Sequence, residues 1–327
     1  MAKRTLNWGL LSTARINRAL IPPLRASKRN EVVAVASRSL EQAETYAREW
    51  DIPRVFGSYD ALLDDPDVDV IYNSLPNHLH AEWTIKALHA GKHVLCEKPL
   101  AINLSEVDEM IATSRETGKV VAEAFMYRHH PQTLKVKEIV DSGILGILKL
   151  IRGSFTFMLT RERDVRLNKE MGGGSIWDIG CYPISYARMI AGAEPLEVFG
   201  WQVDGQDGID ESFIGQMRFK DDVFAQFDSS FRFPARTHME LVGTDGTLTI
   251  PRPFQPGRNE KIHLARGEES ESIKIAGNEL YIGEVEDMAD AILLGREPRI
   301  SLHDSRNNIA AILALLESAR THQPISL

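Results

Sequence analysis

Between residues 6 and 124, short apolar runs alternate with amphipathic stretches, and this alternation restricts the fold more than any other feature. Leu6–Leu11, Val32–Ala36, Val68–Asn73, His93–Leu95 and Val120–Ala122 read as strands. Val32-Val33-Ala34-Val35-Ala36 is apolar at every position, as strands covered on both faces are. Ala14–Leu24, Glu41–Trp50, Glu82–His89 and Val107–Thr117 read as helices. Pro22-Pro23 interrupts the first of these, and Gly91 and Gly118 stop the last two. Strands joined through helices require parallel pairing with right-handed crossovers. The expected N-terminal architecture is therefore an α/β, doubly wound parallel sheet over residues 1–125.

The pattern changes after residue 126. Leu148–Leu159, Phe213–Phe219, Val223–Phe231 and His238–Val242 read as longer strands, with Gly243-Thr244-Asp245-Gly246 as a turn. Gly172-Gly173-Gly174 introduces a helix expected to reach Ile190, and helices close the chain at Tyr281–Leu294 and His303–Thr321. Residues 126–327 thus form a second α/β domain, with a large, mostly antiparallel sheet and one open face. That domain is expected to bind substrate, and a homodimer or homotetramer is expected to form through the open face.

A length of 327 residues fits two domains. The net charge of −8 argues against a duplex nucleic-acid partner. No apolar run is long enough to cross a membrane, and Met1-Ala2-Lys3-Arg4 leads into strand-like sequence without a signal-peptide core. Cys96 and Cys181 are too few for a disulfide framework, so a reducing cytoplasm is the expected location. There is no internal repeat and no low-complexity tract.

Val94-Leu95-Cys96-Glu97-Lys98-Pro99 places a lysine where a strand should stop. Pro99 biases Lys98 toward extended backbone, and Asn103-Leu104-Ser105-Glu106 looks like a helix cap with a returning carboxylate. The carboxyl ends of strands are where open α/β sheets bind ligands, so Lys98 is a candidate for orienting a substrate oxygen. The competing reading is a surface lysine before a turn proline.

Ser12-Thr13-Ala14-Arg15-Ile16-Asn17 follows the first strand. A dinucleotide fingerprint has glycines where this chain has Ser12, Ala14 and Asn17. Small Ser12 and Ala14 still let a pyrophosphate approach a helix N-terminus. Ser37-Arg38-Ser39 ends the second strand and lacks the acid that holds the ribose of NAD. Arg38 suits a 2′-phosphate, which favours NADP, with NAD also possible. Alternatively Ser39 and Gln42 form a capping box and Arg38 is a solvated charge. Ser74, Leu75, Pro76, Asn77 and His80, after the Val68–Asn73 strand, are expected to face the nicotinamide half, although Asn77 also reads as a helix cap. His78-Leu79-His80 lacks a Cys-x-x-Cys or His-Glu-x-x-His partner, so no metal is expected.

Asp178 and Tyr182 share a face if a helix has already begun at that point. Tyr182 is then a candidate proton relay, although Ser175 and Asp178 also have capping-box spacing. Arg161, Arg163 and Arg166 suit an anionic or polyhydroxyl substrate, or form a solvated loop. Glu123, Tyr127, Arg128, His129 and His130 fall at the expected domain junction.

Three segments together resemble the glucose-fructose oxidoreductase / inositol dehydrogenase (Gfo/Idh/MocA) family: Glu97-Lys98-Pro99, Glu123–Arg128 and Gly172–Pro183. Within it the chain is most similar to dihydrodiol dehydrogenases, NADP-dependent sugar dehydrogenases and sugar-nucleotide ketoreductases. The resemblance implies a Rossmann domain followed by an open-sheet α/β domain. It implies Lys98, Tyr182 and Asp178 as catalytic residues, with Tyr182 as proton donor or acceptor; many relatives carry histidine at that position. Glu97 and Lys98 join Ser12, Thr13, Ala14, Arg15, Ile16, Ser37, Arg38, Ser74, Leu75, Pro76, Asn77 and His80 as expected cofactor contacts. Tyr127, Arg128, Arg166, Trp177, Asp178 and Tyr182 are the expected substrate contacts. The implied reaction is hydride transfer between nicotinamide and a hydroxyl of a sugar, polyol or cyclic diol, with Lys98 stabilising the Tyr182 phenolate. An NAD-dependent glycosidase and a non-catalytic dinucleotide sensor are the alternatives on the same fold.

Overall fold

The computed structural model describes residues 4–161 and 164–327. Arg163, one of the arginines considered for substrate, lies outside the described residues, as do Met1–Lys3. The chain divides into two compact units, Met1–His129 with Tyr281–Arg306, and His130–Leu280 with Asn307–Leu327.

The first unit contains strands β1 (Leu6–Leu10), β2 (Asn30–Ala36), β3 (Arg54–Phe56), β4 (Val70–Asn73), β5 (His93–Glu97) and β6 (Val121–Ala124). They form one sheet in the order β3-β2-β1-β4-β5-β6. Every pair is parallel, as the alternation requires. The intervening helices are α1 (Asn17–Ala26), α2 (Leu40–Glu49), α3 (Tyr59–Leu63), α4 (His80–His89) and α5 (Leu104–Thr117).

Local signals explain several boundaries. Asn103 Oδ1 accepts from Glu106 N at 2.9 Å, and Glu106 returns to Ile102 N at 3.3 Å. Gly118 ends α5 in the left-handed region (φ +66°), where a side chain would be strained. Ser39 Oγ caps α2 through Gln42 N at 3.3 Å, so the capping reading of that serine holds.

Two expectations need correction. Pro22 and Pro23 lie inside α1 without interrupting it. Leu20, Ile21, Pro23 and Leu24 are buried there, and tertiary packing overrides the lost backbone bonds. In addition, β3 and α3 stand where no element was anticipated. Later in the chain, α8 (Ile282–Leu294) contributes Val285, Met288 and Ala289 to the core around Leu6, Trp8 and Leu10. Each large apolar side chain so enclosed contributes roughly 1.5–3 kcal/mol.

The second unit carries a nine-stranded sheet. It begins with α6 (Pro131–Asp141) and β7 (Leu148–Thr156), followed by α7 (Cys181–Ala191), β8 (Glu197–Asp204), β9 (Asp210–Arg218), β10 (Phe224–Ser230) and β11 (Arg236–Gly243). It continues with β12 (Thr247–Ile250), β13 (Asn259–Arg266), β14 (Glu269–Ala276), the part of the C-terminal helix α9 (Leu302–Thr321) from Asn307 onward, and β15 (Ile325–Ser326). The order is β14-β13-β12-β11-β7-β10-β9-β8-β15. All pairs are antiparallel except β7 with β10.

One sheet face is buried, by Ile151, Phe213, Met217, Phe227 and Met239 among others. Gly153 lets α7 seat against that face, since a Cβ there would meet Pro183 Cβ at 2.8 Å. The other face exposes Trp201, Val203, Ile214 and Phe224 at 46–67%. The single helix expected after the triple glycine is instead a π turn, Ile176–Gly180, running into α7. Among the described residues no helix is long and apolar enough to cross a membrane.

Candidate active site

The first unit reverses strand order between β1 and β4, so a crevice opens beyond their carboxyl ends. Three side chains tie that rim together. Ser12 Oγ lies 2.8 Å from Ser74 Oγ, Ser74 donates to Asn17 Oδ1 at 2.7 Å, and Asn17 Nδ2 donates to the Ser12 carbonyl at 2.7 Å. Asn17, in the third glycine position, was not among the expected contacts. Its amide does by hydrogen bonding what a glycine would do by close approach.

Thr13, Ala14 and Ile16 are half-buried and Arg15 is exposed. Ile16 precedes α1 with no side-chain cap, and no acid occupies the first turn. Small side chains and an uncapped, acid-free helix start fit the phosphates of a dinucleotide. At the end of β2, Ser37 is buried and Arg38 is exposed. The Arg38 guanidinium partly offsets the burial that raises the Tyr59 phenol.

Lys98 is half-buried and follows β5 directly, where the spacing placed it, and its peptide bond to Pro99 is cis. Distant residues fix the backbone on both sides of it. Before it, the fully buried Tyr72 donates to Glu97 Oε1. Burial, then the carboxylates of Glu97 and Glu284, hold that phenol far above its usual range. After it, Glu123 Oε1 accepts from Leu100 N at 2.9 Å.

His80 is fully enclosed, its ring nitrogens 2.7 Å from the carbonyls of Pro99 and Leu75. Burial lowers this imidazole to about 4; the two carbonyls oppose that and the Lys98 ammonium adds to it. His80 thus links the β4 loop, with Ser74, Leu75, Pro76 and Asn77, to the segment carrying Lys98. The cap position of α4 falls to Leu79, not Asn77. Among the described residues no group of three or more His, Cys, Asp or Glu could hold a metal ion. Tyr127 is fully buried, edge-on to Phe125 at 5.9 Å, and Arg128 pairs with Asp304 at 3.1 Å.

In the second unit, Gly173 sits against the carbonyls of Arg166 and Asn168, where a Cβ would come within 2.5 and 2.7 Å. Gly174 N donates to the Arg166 carbonyl at 2.9 Å. The triple glycine thereby folds the Arg166 loop back on the π turn. There Arg166 Nε donates to Asp178 Oδ2 at 2.7 Å and Nη1 to Asp164 Oδ1 at 3.1 Å. These two carboxylates, Asp178 foremost, raise the guanidinium further.

Ser175 does not cap a helix with Asp178. It is already helical (φ −67°, ψ −34°) and has no cap bond. Its hydroxyl donates instead to Asp210 at 2.6 Å. Trp177 is nearly enclosed. Tyr182, the second residue of α7, is buried with its ring 5.4 Å from Phe155 and 5.6 Å from Phe254. Arg161 is exposed.

Residues 6–125 match the model of an oxidoreductase family with an NAD-binding Rossmann fold, and residues 133–249 match the Gfo/Idh/MocA C-terminal domain. A D-xylose 1-dehydrogenase (NADP(+)) from Haloferax volcanii is 34% identical over 98% of this chain and 99% of its own. A trans-1,2-dihydrobenzene-1,2-diol dehydrogenase from Danio rerio is 33% identical over 75% of this chain and 74% of its own. A 3-ketoreductase from Actinomadura kijaniata, solved with NADP and TDP-benzene, superposes with a TM-score of 0.92 at 31% identity, covering 96% of this chain and 98% of its own.

Proposed function

The chain belongs to the Gfo/Idh/MocA family of oxidoreductases, and from that premise we propose an NADP(H)-dependent enzyme acting on a secondary or anomeric hydroxyl of a sugar, polyol or related cyclic diol. The carrying observation is the fixed setting of Lys98 beyond β5, held before by Tyr72 with Glu97 and after by His80 and Glu123. NADP as cofactor is supported by the uncapped start of α1, by Arg38 without an acid beside it, and by the NADP-dependent relatives. The sugar class is supported by the xylose dehydrogenase and the 3-ketoreductase, whose names place their chemistry on hydroxyl or keto carbons.

The nicotinamide, when bound, supplies the hydride acceptor or donor. Lys98 orients the reacting oxygen through its ammonium charge. Tyr182 holds or moves the hydroxyl proton at its phenolic oxygen, against the apolar walls of Phe155 and Phe254. Asp178, held by Arg166, fixes a further substrate hydroxyl. The first unit is thus the dinucleotide-binding part and the second the substrate-binding part.

The test is turnover on a panel of pyranoses, inositols and dihydrodiols with NADP and NAD, followed at the reduced-nicotinamide absorbance. Lys98→Met and Tyr182→Phe should each lower kcat about 10²- to 10³-fold, as loss of a positioned acid–base or charged group does. The Kd for NADP should stay within a few-fold. Near-normal turnover in Lys98→Met ends the proposal, and substrate cleavage without net cofactor reduction points to the glycosidase alternative.

Two copies also pair through the open sheet face, where Trp201 and Ile214 stand directly opposite one another on β8 and β9. Light scattering should give a dimer or tetramer that Trp201→Glu dissociates; a monomeric unmodified chain sinks this reading.

A further inference from the structure

We propose that Asp210, on the first position of β9, is a positioning residue: its carboxylate anchors the π turn from which Asp178 and Tyr182 are presented. This rests on the reading of Asp178 and Tyr182 as active-site groups. The anchor is built from several contacts on one buried side chain. Asp210 Oδ2 accepts from Ser175 Oγ at 2.6 Å and from Ile176 N at 2.8 Å. Both donors lie at the entry to the turn. The other oxygen, Oδ1, shapes the turn sterically. Gly174 has φ +132°, and any Cβ there would run into it. At the far end of the turn, Gly180 rests against Ser229, where a Cβ would meet Oγ at 3.0 Å. Ser229 Oγ is also 3.1 Å from Ser175 Oγ. Two strand residues therefore hold both ends of the turn against the sheet.

A helix start needs no such device. Ser175 followed by Asp178 has the spacing for a local cap, which would satisfy the same backbone donors at the surface. Ser175 is instead drawn into helical geometry, and a carboxylate 4% exposed takes over. Burying a carboxylate that is hydrogen-bonded by neutral donors costs more than a serine cap returns. Burial lifts this carboxyl to about 7, with the Ser175 and Ile176 bonds opposing it. What the arrangement gives in exchange is a fixed displacement. A π turn inserts an extra residue and rotates whatever follows it, and such turns recur at functional sites. Here Asp178 lies within the turn, bonded to Arg166, and Tyr182 is the second residue of the helix beyond it. If the turn relaxed to α geometry, both side chains would leave their present directions together.

The experiment is Asp210→Asn, which keeps the shape, removes the charge and turns one acceptor into a donor. Ser175→Ala, which deletes one link and leaves the Ile176 bond, is made beside it, and Tyr182→Phe is the reference. Kinetics are expressed per NADPH-binding site, titrated by nicotinamide fluorescence. Asp210→Asn should lower kcat about 10- to 100-fold, the scale of a 1 Å misplacement, and raise the substrate KM, while the Kd for NADPH moves less than about twofold. Ser175→Ala should show a weaker loss of the same kind, and the double variant should be no worse than Asp210→Asn alone. A purely structural role lowers the number of NADPH-binding sites and leaves both kcat per site and KM unchanged; that result overturns the proposal. If Asp210→Asn fails to fold, Ser175→Ala decides: a fall in kcat with altered KM supports the anchor, and unchanged kinetics reject it. Full turnover in Tyr182→Phe overturns the active-site reading itself, whereas its loss beside an unaffected Asp210→Asn sinks only the anchor.

Discussion

Arg38 is the residue on which cofactor preference should turn. It is exposed at the end of β2, beside no acid, and its charge acts on the Tyr59 phenol. A charge-assisted pair with a phosphate is worth about 1.5–3 kcal/mol, a factor of about 10 to 150 in binding. Arg38→Ala should therefore raise the KM for NADP about 10- to 100-fold and leave that for NAD within about twofold. An unchanged ratio of the two KM values would remove Arg38 from that role. This residue was legible because strand ends and absent acids can be read along the chain. Asn17 was not, because the glycine rule marks it only as a mismatch; its amide closes a ring with Ser12 and Ser74 that exists only when β1 and β4 lie side by side. Tyr72 was hidden for the same reason, and His80 and Glu123 were read as a cofactor contact and a junction residue, not as supports of the Lys98 segment. Asp210 gave no signal at all, being one acid among neighbours in Gly208-Ile209-Asp210-Glu211.

Among the elements, legibility followed the strength of the local pattern. The apolar run of β2 and the alternation of strands with helices required a parallel sheet, and a six-stranded parallel sheet is present. The turn at Gly243–Gly246 joins β11 and β12, with Gly243 N bonded to the Gly246 carbonyl at 2.9 Å. Pro22-Pro23 misled because a proline speaks only for its own turn, whereas the buried side of α1 is set by contacts with the sheet. The three residues of β3 are too few for any period to register. The π turn is the instructive failure. Its cause is not in residues 176–180 but in Asp210 and Ser229 on two other strands. Hydrophobic periodicity reports which face is buried and is blind to one inserted residue. The parallel pairing of β7 with β10 is likewise set by the long connection between them, through α7 and two strands, rather than by either strand's sequence.

At the scale of the whole molecule, the two units should respond unequally to acid. The first unit encloses His80 and partly buries His93 and His129, lowered from 6.5 to about 4, about 4 and about 3, in each case chiefly by burial. For such groups the unfolded chain binds the proton first. The stability they contribute is fully present above pH 6.5 and is lost as pH falls toward the folded values. His80, fully enclosed, and His129, its side chain 5% exposed, then each weaken the fold by about 1.4 kcal/mol per pH unit across that window. The second unit encloses Asp210, raised from 3.8 to about 7 by burial. Here the folded chain binds the proton first, so Asp210 adds stability as pH falls from 7 toward 3.8, whereas the buried His130 of the same unit, lowered by burial, acts in the opposite sense. Between pH 7 and pH 5 the first unit should therefore lose more protection than the second, where Asp210 and His130 oppose one another. Hydrogen exchange resolved by peptide reads the two separately. Faster exchange at pH 5, after correction for the intrinsic rate, is expected in the β1, β4 and β5 peptides and not in those of β9 and β10. Uniform loss of protection in both units would show that these buried groups do not govern the acid response.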